Sequence, residues 1–363
     1  MKLTKQHLGL AAGIVIVAGA IVYLNGLKPA RMPSVSVSRS GSPTLGGVGT
    51  APDISTPDGF INTDKVSVSD LAGKKVVLVD FWTYSCINCQ RTLPYLNAWY
   101  DKYKDQGLEI IGVHTPEFEF EKKYDNVKKA VERFNIKYPV VLDNDFSTWD
   151  AYANRYWPRK YLVDINGKIV YDHIGEGGYD ETEKEIQTLL AERAKVLGEQ
   201  VSVATGEVKP EGAVTEMLGS RSPEIYFGAG RNDYMGSGQQ GRVGVQTLAA
   251  PSGTMADDNF YLVGTWDFQP EFAESKSDGH LLFRYRAMNV YMVASSDKPM
   301  TVRVLRDGKP VSDDIAGADV HGGLVTIGDE RLYHLIKEGE GSEHHLDLEI
   351  IGPGLKAFTF TFG

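Results

Sequence analysis

Cys86 and Cys89 are the two cysteines of this 363-residue chain, and only Ile87 and Asn88 separate them. A bridge between them closes too small a loop to stabilise the fold through chain entropy. Structural disulfide frameworks also use more cysteines. A zinc site needs four ligands, but there is no second Cys pair, and His344-His345 reads as a polar stretch at a strand start. The spacing therefore points to thiol–disulfide exchange, with Cys86 and Cys89 as a redox disulfide and neither metal nor cofactor implied. Cys86 would attack a substrate disulfide, and Cys89 would resolve the mixed disulfide. Copper delivery by the two thiols with His114 is a lesser alternative.

The surrounding pattern says how the pair is held. Lys75-Val-Val-Leu-Val-Asp-Phe-Trp82 reads as a strand buried on both faces. Leu93, Leu96, Trp99 and Tyr100 have helical spacing, so the motif falls where a strand gives way to a helix. Unpaired N–H groups and the helix dipole favour a thiolate there. Cys89 follows one turn later on the same side. Asp80 is a carboxylate inside an apolar run; burial costs such a group and suits it to accept a proton. Further on come a strand at 108–114, an amphipathic helix at 124–134, a hairpin about Asn166-Gly167 and a helix at 181–197. The order implies an α/β layer fold with a mixed sheet.

Val79-Asp-Phe-Trp82 followed by Cys-x-x-Cys is similar to thioredoxin. Pro94 lies five residues after the second cysteine, as that family's helix-kinking proline does. The resemblance implies that Asp80 is the buried acid assisting the resolving thiol. It also implies that Trp157-Pro158 is the cis-proline pair, set against the disulfide and orienting substrate. The segments Trp82-Thr-Tyr-Ser-Cys-Ile-Asn-Cys-Gln-Arg-Thr-Leu-Pro94, His114-Thr-Pro-Glu-Phe118 and Tyr156-Trp-Pro158 resemble the extracytoplasmic TlpA-like branch, and within it the DipZ proteins. Those often carry a multi-helix electron-transferring membrane domain; here one apolar segment stands in its place. On this resemblance, Asp80, Cys86, Cys89 and Pro158 form the catalytic set, with Trp82 and Trp157 positioning substrate. Trp82 read on its own is equally a core aromatic. His114 and Glu117 are as readily loop residues as site residues, while Arg91, Arg155 and Arg159 are expected on the surface. Thr83 gives a Thr-x-x-Cys like that of peroxiredoxins. Their proline four residues before the Thr is Val79 here, so thiol peroxidase ranks second.

Leu8 to Leu24 is 17 apolar residues behind Lys2 and Lys5, which reads as a single membrane anchor with its N-terminus inside. Ala18-Gly19-Ala20 keeps a cleaved signal peptide open. Either reading exports the rest, to the periplasm or another extracytoplasmic space. Residues 1–31 are thus the anchor, 32–52 a Ser/Gly/Pro tether, 53–197 the redox domain and 198–222 a second linker. The net charge of -10 excludes ordinary nucleic-acid binding, which needs clustered Lys and Arg.

Residues 223–363 change to a strand pattern. His345-Leu-Asp-Leu-Glu-Ile350 alternates, and Asp307-Gly308 marks a hairpin. Candidate strands at 260–268, 280–294, 300–306, 323–336, 345–351 and 356–362 suggest a jelly-roll-like β-sandwich. DipZ proteins carry a similar module resembling carbohydrate-binding modules, which makes a glycan a possible partner through Tyr226, Tyr234, Trp266, Tyr285 and Tyr291; protein docking is the plainer role. The expectation is an anchored oxidoreductase acting on disulfides of exported proteins and recycled by a separate donor. The rival is an anchored glycan- or protein-binding module.

Overall fold

The strand carrying Asp80 is buried along its whole length, Val76–Trp82, in the computed structural model, which describes residues 49–200, 202–213, 222–339 and 341–363. The Leu8–Leu24 segment lies outside these. Among the described residues no helix is long and apolar enough to cross a membrane.

The first region runs β1 (Gly59–Ile61), α1 (Val68–Leu71), β2 (Val76–Trp82), α2 (Ile87–Tyr103), β3 (Leu108–His114), α3 (Tyr124–Arg133), β4 (Val140–Leu142), α4 (Ser147–Ala151), β5 (Arg159–Val163), β6 (Ile169–Ile174) and α5 (Tyr179–Leu197). The sheet order is β1-β4-β3-β2-β5-β6. Strands β2, β3 and β4 run parallel, and β1, β5 and β6 pair antiparallel. This is the thioredoxin fold. Alternation sorts β2 between two cores. Val77, Val79 and Phe81 meet Trp149 and Tyr161 on one face. Val76, Leu78 and Trp82 meet α2 and α5 on the other through Leu93, Leu96, Ile186 and Leu190. Asp80 shares the parity of the second set.

The second region is all-β: β7 (Ile225–Tyr226), β8 (Gly244–Leu248), β9 (Phe260–Phe268), β10 (Ala273–Ser275), β11 (Gly279–Arg286), β12 (Asn289–Ser295), β13 (Met300–Arg306), β14 (Lys309–Pro310), β15 (Val320–His321), β16 (Leu324–Ile327), β17 (Arg331–Lys337), β18 (Glu343–Ile350) and β19 (Lys356–Phe362). These strands form one nearly barrel-like sheet, where two separate sandwich layers were expected. Gly264 is the joint. The first half of β9 pairs with β11 and the second with β10 and β8. Gly264 has φ +97, and a Cβ there would meet Asp278 O at 2.4 Å, so the bend requires glycine. The far ends of the path meet where Ala316 bridges Ile336. Two segments read as single strands are each two: 280–294 divides into β11 and β12, and 323–336 into β16 and β17.

The two regions share a core. Tyr291, Val293, Leu332 and Phe358 of the β region belong to the same apolar cluster as Tyr84, Ile87 and Phe120. Phe358 packs edge-on against Phe118 and Phe120, at 5.3 and 4.8 Å between ring centres. Residues 202–213, of linker composition, lie along α2 and α5: Val208 N donates to Glu183 (2.7 Å) and Lys102 Nζ to Gly206 O (2.6 Å).

Candidate active site

After Trp82 the chain leaves the sheet, and Cys86 caps α2 (φ -78, ψ 119). Its sulfur accepts the Cys89 N–H at 3.3 Å, as a Ser or Asp oxygen does at an ordinary cap. Cys86 is half-buried and Cys89 is 1% exposed, and both are free thiols. The Trp157–Pro158 bond is cis, and the Trp157 carbonyl oxygen lies 4.0 Å from Cys86 Sγ. The Trp157 indole donates to Thr115 O (3.0 Å) and packs on Trp149 at 4.3 Å.

The loop from 83 to 86 is fixed from below by Glu121. That buried carboxylate accepts Ser85 N (3.2 Å) and Ser85 Oγ (2.6 Å) through one oxygen, and Glu117 N (2.7 Å) and Phe118 N (3.0 Å) through the other. The β region also holds the loop, since the Tyr84 hydroxyl donates to Glu330 O at 3.2 Å.

Beneath Cys89 the surroundings are poor in partners. Asp80 is 1% exposed, and neither carboxylate oxygen has a hydrogen-bond partner among the described residues. Burial pushes its pKa up to about 7, against the pull of Lys160. Lys160 faces Asp80 across the β2–β5 ladder and is wholly buried; its amine donates to Gly175 O at 3.1 Å. Burial lowers Lys160 to about 8, against the pull of Asp80. The Cys89 thiol is pushed well up by burial, then by its contact with Cys86, with the Asp80 charge adding. Cys89 is therefore a protonated thiol that needs a base before it can attack.

The geometry thus brings Cys86, Cys89, Asp80, Trp157 and Pro158 to one end of β2. Trp82 is a correction. Its side chain is fully buried and packs edge-on to His114 at 5.1 Å, so no face of it reaches substrate. Parity explains this, because Trp82 lies on the core side of β2 with Leu78. His114 is buried as well, held neutral by a burial-lowered pKa of about 3, with Nε2 3.4 Å from Thr83 Oγ1. Thr83 is buried beside that imidazole. Arg91 and Arg159 are buried ion-pair partners of Glu176 and Asp172, not surface residues; Arg155 is exposed. Of the aromatics considered for a glycan, Trp266, Tyr285 and Tyr291 are buried, Tyr226 donates to Glu117 and Glu224, and Tyr234 is exposed.

Lys160 and Glu121 were not foreseen. A lysine inside the run Arg159-Lys-Tyr-Leu-Val163 is a signal once the strand is known to be covered on both faces. Glu121 alternates with Phe118 and Phe120, which reads as a solvated charge until the turn at Glu119–Lys122 folds it inward.

Residues 49–172 match the AhpC/TSA family and 222–363 a thioredoxin-like C-terminal domain. The chain is 38% identical over 346 residues to protein DipZ of Mycobacterium tuberculosis, covering 94% of this chain and 46% of that one. It thus spans about half the length of those curated relatives. It is 31% identical to the thiol-disulfide oxidoreductase YkuV of Bacillus subtilis, over 39% of this chain and 94% of the relative. It is 34% identical to the thiol-disulfide oxidoreductase ResA of Bacillus cereus, over 36% and 74%.

Proposed function

This chain belongs to the family of thioredoxin-like thiol-disulfide oxidoreductases, and on that premise we propose that it reduces or isomerises disulfides of exported proteins through Cys86 and Cys89. The observation that carries the reading is the half-buried Cys86 at the start of α2, with Cys89 buried one turn behind it. The Cys86 thiolate attacks a substrate disulfide, forming a mixed disulfide and releasing one substrate thiolate, which takes a proton from solvent. Asp80, its negative charge held by Lys160, accepts the Cys89 proton. Cys89 then attacks Cys86 Sγ, closing the Cys86–Cys89 disulfide and releasing the second substrate thiolate, which takes a proton from solvent while Asp80 gives its proton back to solvent. Two electrons pass to the substrate, so a separate donor must return two to the chain. The backbone at Trp157-Pro158 lies beside the attacking sulfur, where it can align the substrate strand. The apolar Leu8–Leu24 run supports an anchored, extracytoplasmic placement.

Equilibrating the full chain in detergent against glutathione and dithiothreitol buffers, with thiols read by alkylation and mass, tests this. The expected result is one two-electron transition between about -270 and -120 mV, the span of thioredoxin-like sites. In Cys86→Ser, exchange with a small disulfide is lost; in Cys89→Ser, a mixed disulfide on Cys86 persists. Absence of any reversible Cys86–Cys89 disulfide would refute the reading.

A further inference from the structure

The face of α2 that starts one residue after the nucleophile carries Ile87, Gln90, Arg91 and Pro94, at the i, i+3, i+4 and i+7 positions of one helix side. It forms one wall of a cleft of about 590 Å³. The β region supplies the opposite wall through β12 and β17, with Tyr291 stacked on His334 at 4.3 Å. The volume is within the range of ordinary ligand sites.

The charge of this cleft runs against that of the chain, which is -10 overall. Arg91, Arg133, Arg331 and Lys337 line it, against Asp319 and Glu338. Both carboxylates are engaged. Asp319 accepts Arg331 (2.7 Å) and His334 N (2.7 Å). Glu338 is held by Arg306 (3.0 Å) and the Tyr285 hydroxyl (2.7 Å), on β13 and β11. Arg91 pairs with Glu176 through Nη1 (3.1 Å); its Nη2, buried and lying against Gly363, has no hydrogen-bond partner among the described residues. Arg133 and Lys337, exposed at the mouth, have no carboxylate within ion-pair distance among the described residues. A low-dielectric cleft with surplus cations concentrates anionic chains at its mouth.

We propose that this cleft is the subsite for the polypeptide flanking the substrate disulfide, and that it selects segments carrying Asp or Glu near the cysteine. The inference rests on the exchange chemistry proposed for Cys86 and deepens it. The redox step is unchanged: the substrate disulfide becomes two thiols as the Cys86 and Cys89 thiols become a disulfide. The β region then acts as the wall that gives the redox domain its substrate preference.

The test uses the reduced full chain and three synthetic peptides with the same internal disulfide, flanked by Glu, Ser or Lys residues. Uncharged 2-hydroxyethyl disulfide reports the chemistry alone. At low salt the Glu peptide is expected to react about tenfold faster than the Lys peptide, with the ratio shrinking as salt screens the charges. Arg133→Glu with Lys337→Glu is expected to invert that ratio once each rate is divided by the same variant's rate on 2-hydroxyethyl disulfide. Equal rates for the Glu and Lys peptides, or a preference that survives both substitutions, would overturn the proposal while leaving exchange at Cys86 intact. Failure to reduce 2-hydroxyethyl disulfide would instead overturn the exchange chemistry, and the cleft's role with it.

Discussion

Asp80 and Glu121 are two of the carboxylates buried in the redox region, and they are built in opposite ways. Glu121 accepts four hydrogen bonds, from Ser85 twice and from Glu117 and Phe118. Asp80 accepts none among the described residues, and its nearest compensation is the charge of Lys160 on the neighbouring strand. Burial raises the pKa of both, but at Glu121 the donors oppose it. A saturated carboxylate fixes backbone; an unsaturated one is poised to take a proton. The pocket under Ser85 therefore reads as scaffold and the pocket under Cys89 as chemistry.

The largest expected effect comes from removing the poised member. Asp80→Asn is expected to slow resolution by Cys89 about 100-fold, the low end of what a positioned proton acceptor contributes. Quenching with acid and weighing the adducts would show the substrate-bound Cys86 species accumulating. The same variant should gain stability where the reacting enzyme needs the acid. Folded Asp80 keeps its proton up to about pH 7, whereas the ordinary value is 3.8. Between those values the folded state binds more protons than the unfolded one, so the wild type loses stability as pH rises. The stability difference between Asp80→Asn and wild type should grow from about pH 4 to about pH 7 in urea titrations, then level off. A flat difference, with resolution unslowed, would erase the contrast between the two carboxylates.

The scaffold member should fail differently. Glu121→Gln turns an amide toward donors that now compete for one oxygen, and is expected to cost about 2 kcal/mol of stability. Denaturant midpoints measure this. Its exchange rate should fall with loop order at every pH, with no change in the shape of the pH profile. A shifted pH profile in Glu121→Gln would place this carboxylate in the proton path too.

The contrast was half legible in the sequence. Asp80 stood out because the run Val76–Trp82 is otherwise apolar, and the helix following Cys89 was readable from Leu93, Leu96 and Trp99. The residues alone leave Trp82 equally a core aromatic or a surface beside the cysteines, because period two says which residues share a face, not what covers it; the structure buries it. Lys160 stayed hidden because a lone lysine near Arg159 looks solvated until β5 is known to lie between β2 and β6. The β region lost more. The candidate strands at 260–268, 300–306 and 345–351 fall on β9, β13 and β18, but pairing partners are long-range. The Gly264 bend that carries β9 between neighbours, making one sheet of an expected sandwich, is a single glycine among 39.

Lys160 offers the finest division between scaffold and chemistry. Its amine is wholly buried and donates to Gly175 O, so a purely structural role is a real alternative. Lys160→Met keeps most of the aliphatic stem in the same cavity and removes the charge. Without that cation, ionised Asp80 loses the attraction that opposes its burial, and its pKa must rise further. The pH midpoint of mixed-disulfide resolution is then expected to move up by about one unit, the lower end of what a nearby opposite charge supplies. A structural lysine would behave otherwise: losing the bond to Gly175 O would depress the rate evenly across pH and leave the midpoint in place. Rapid-quench measurements from pH 5 to 9 on Lys160→Met, with wild type and Asp80→Asn alongside, separate the two. A moved midpoint in Lys160→Met that disappears when Asp80→Asn is added ties the lysine to the carboxylate and not to the loop it touches.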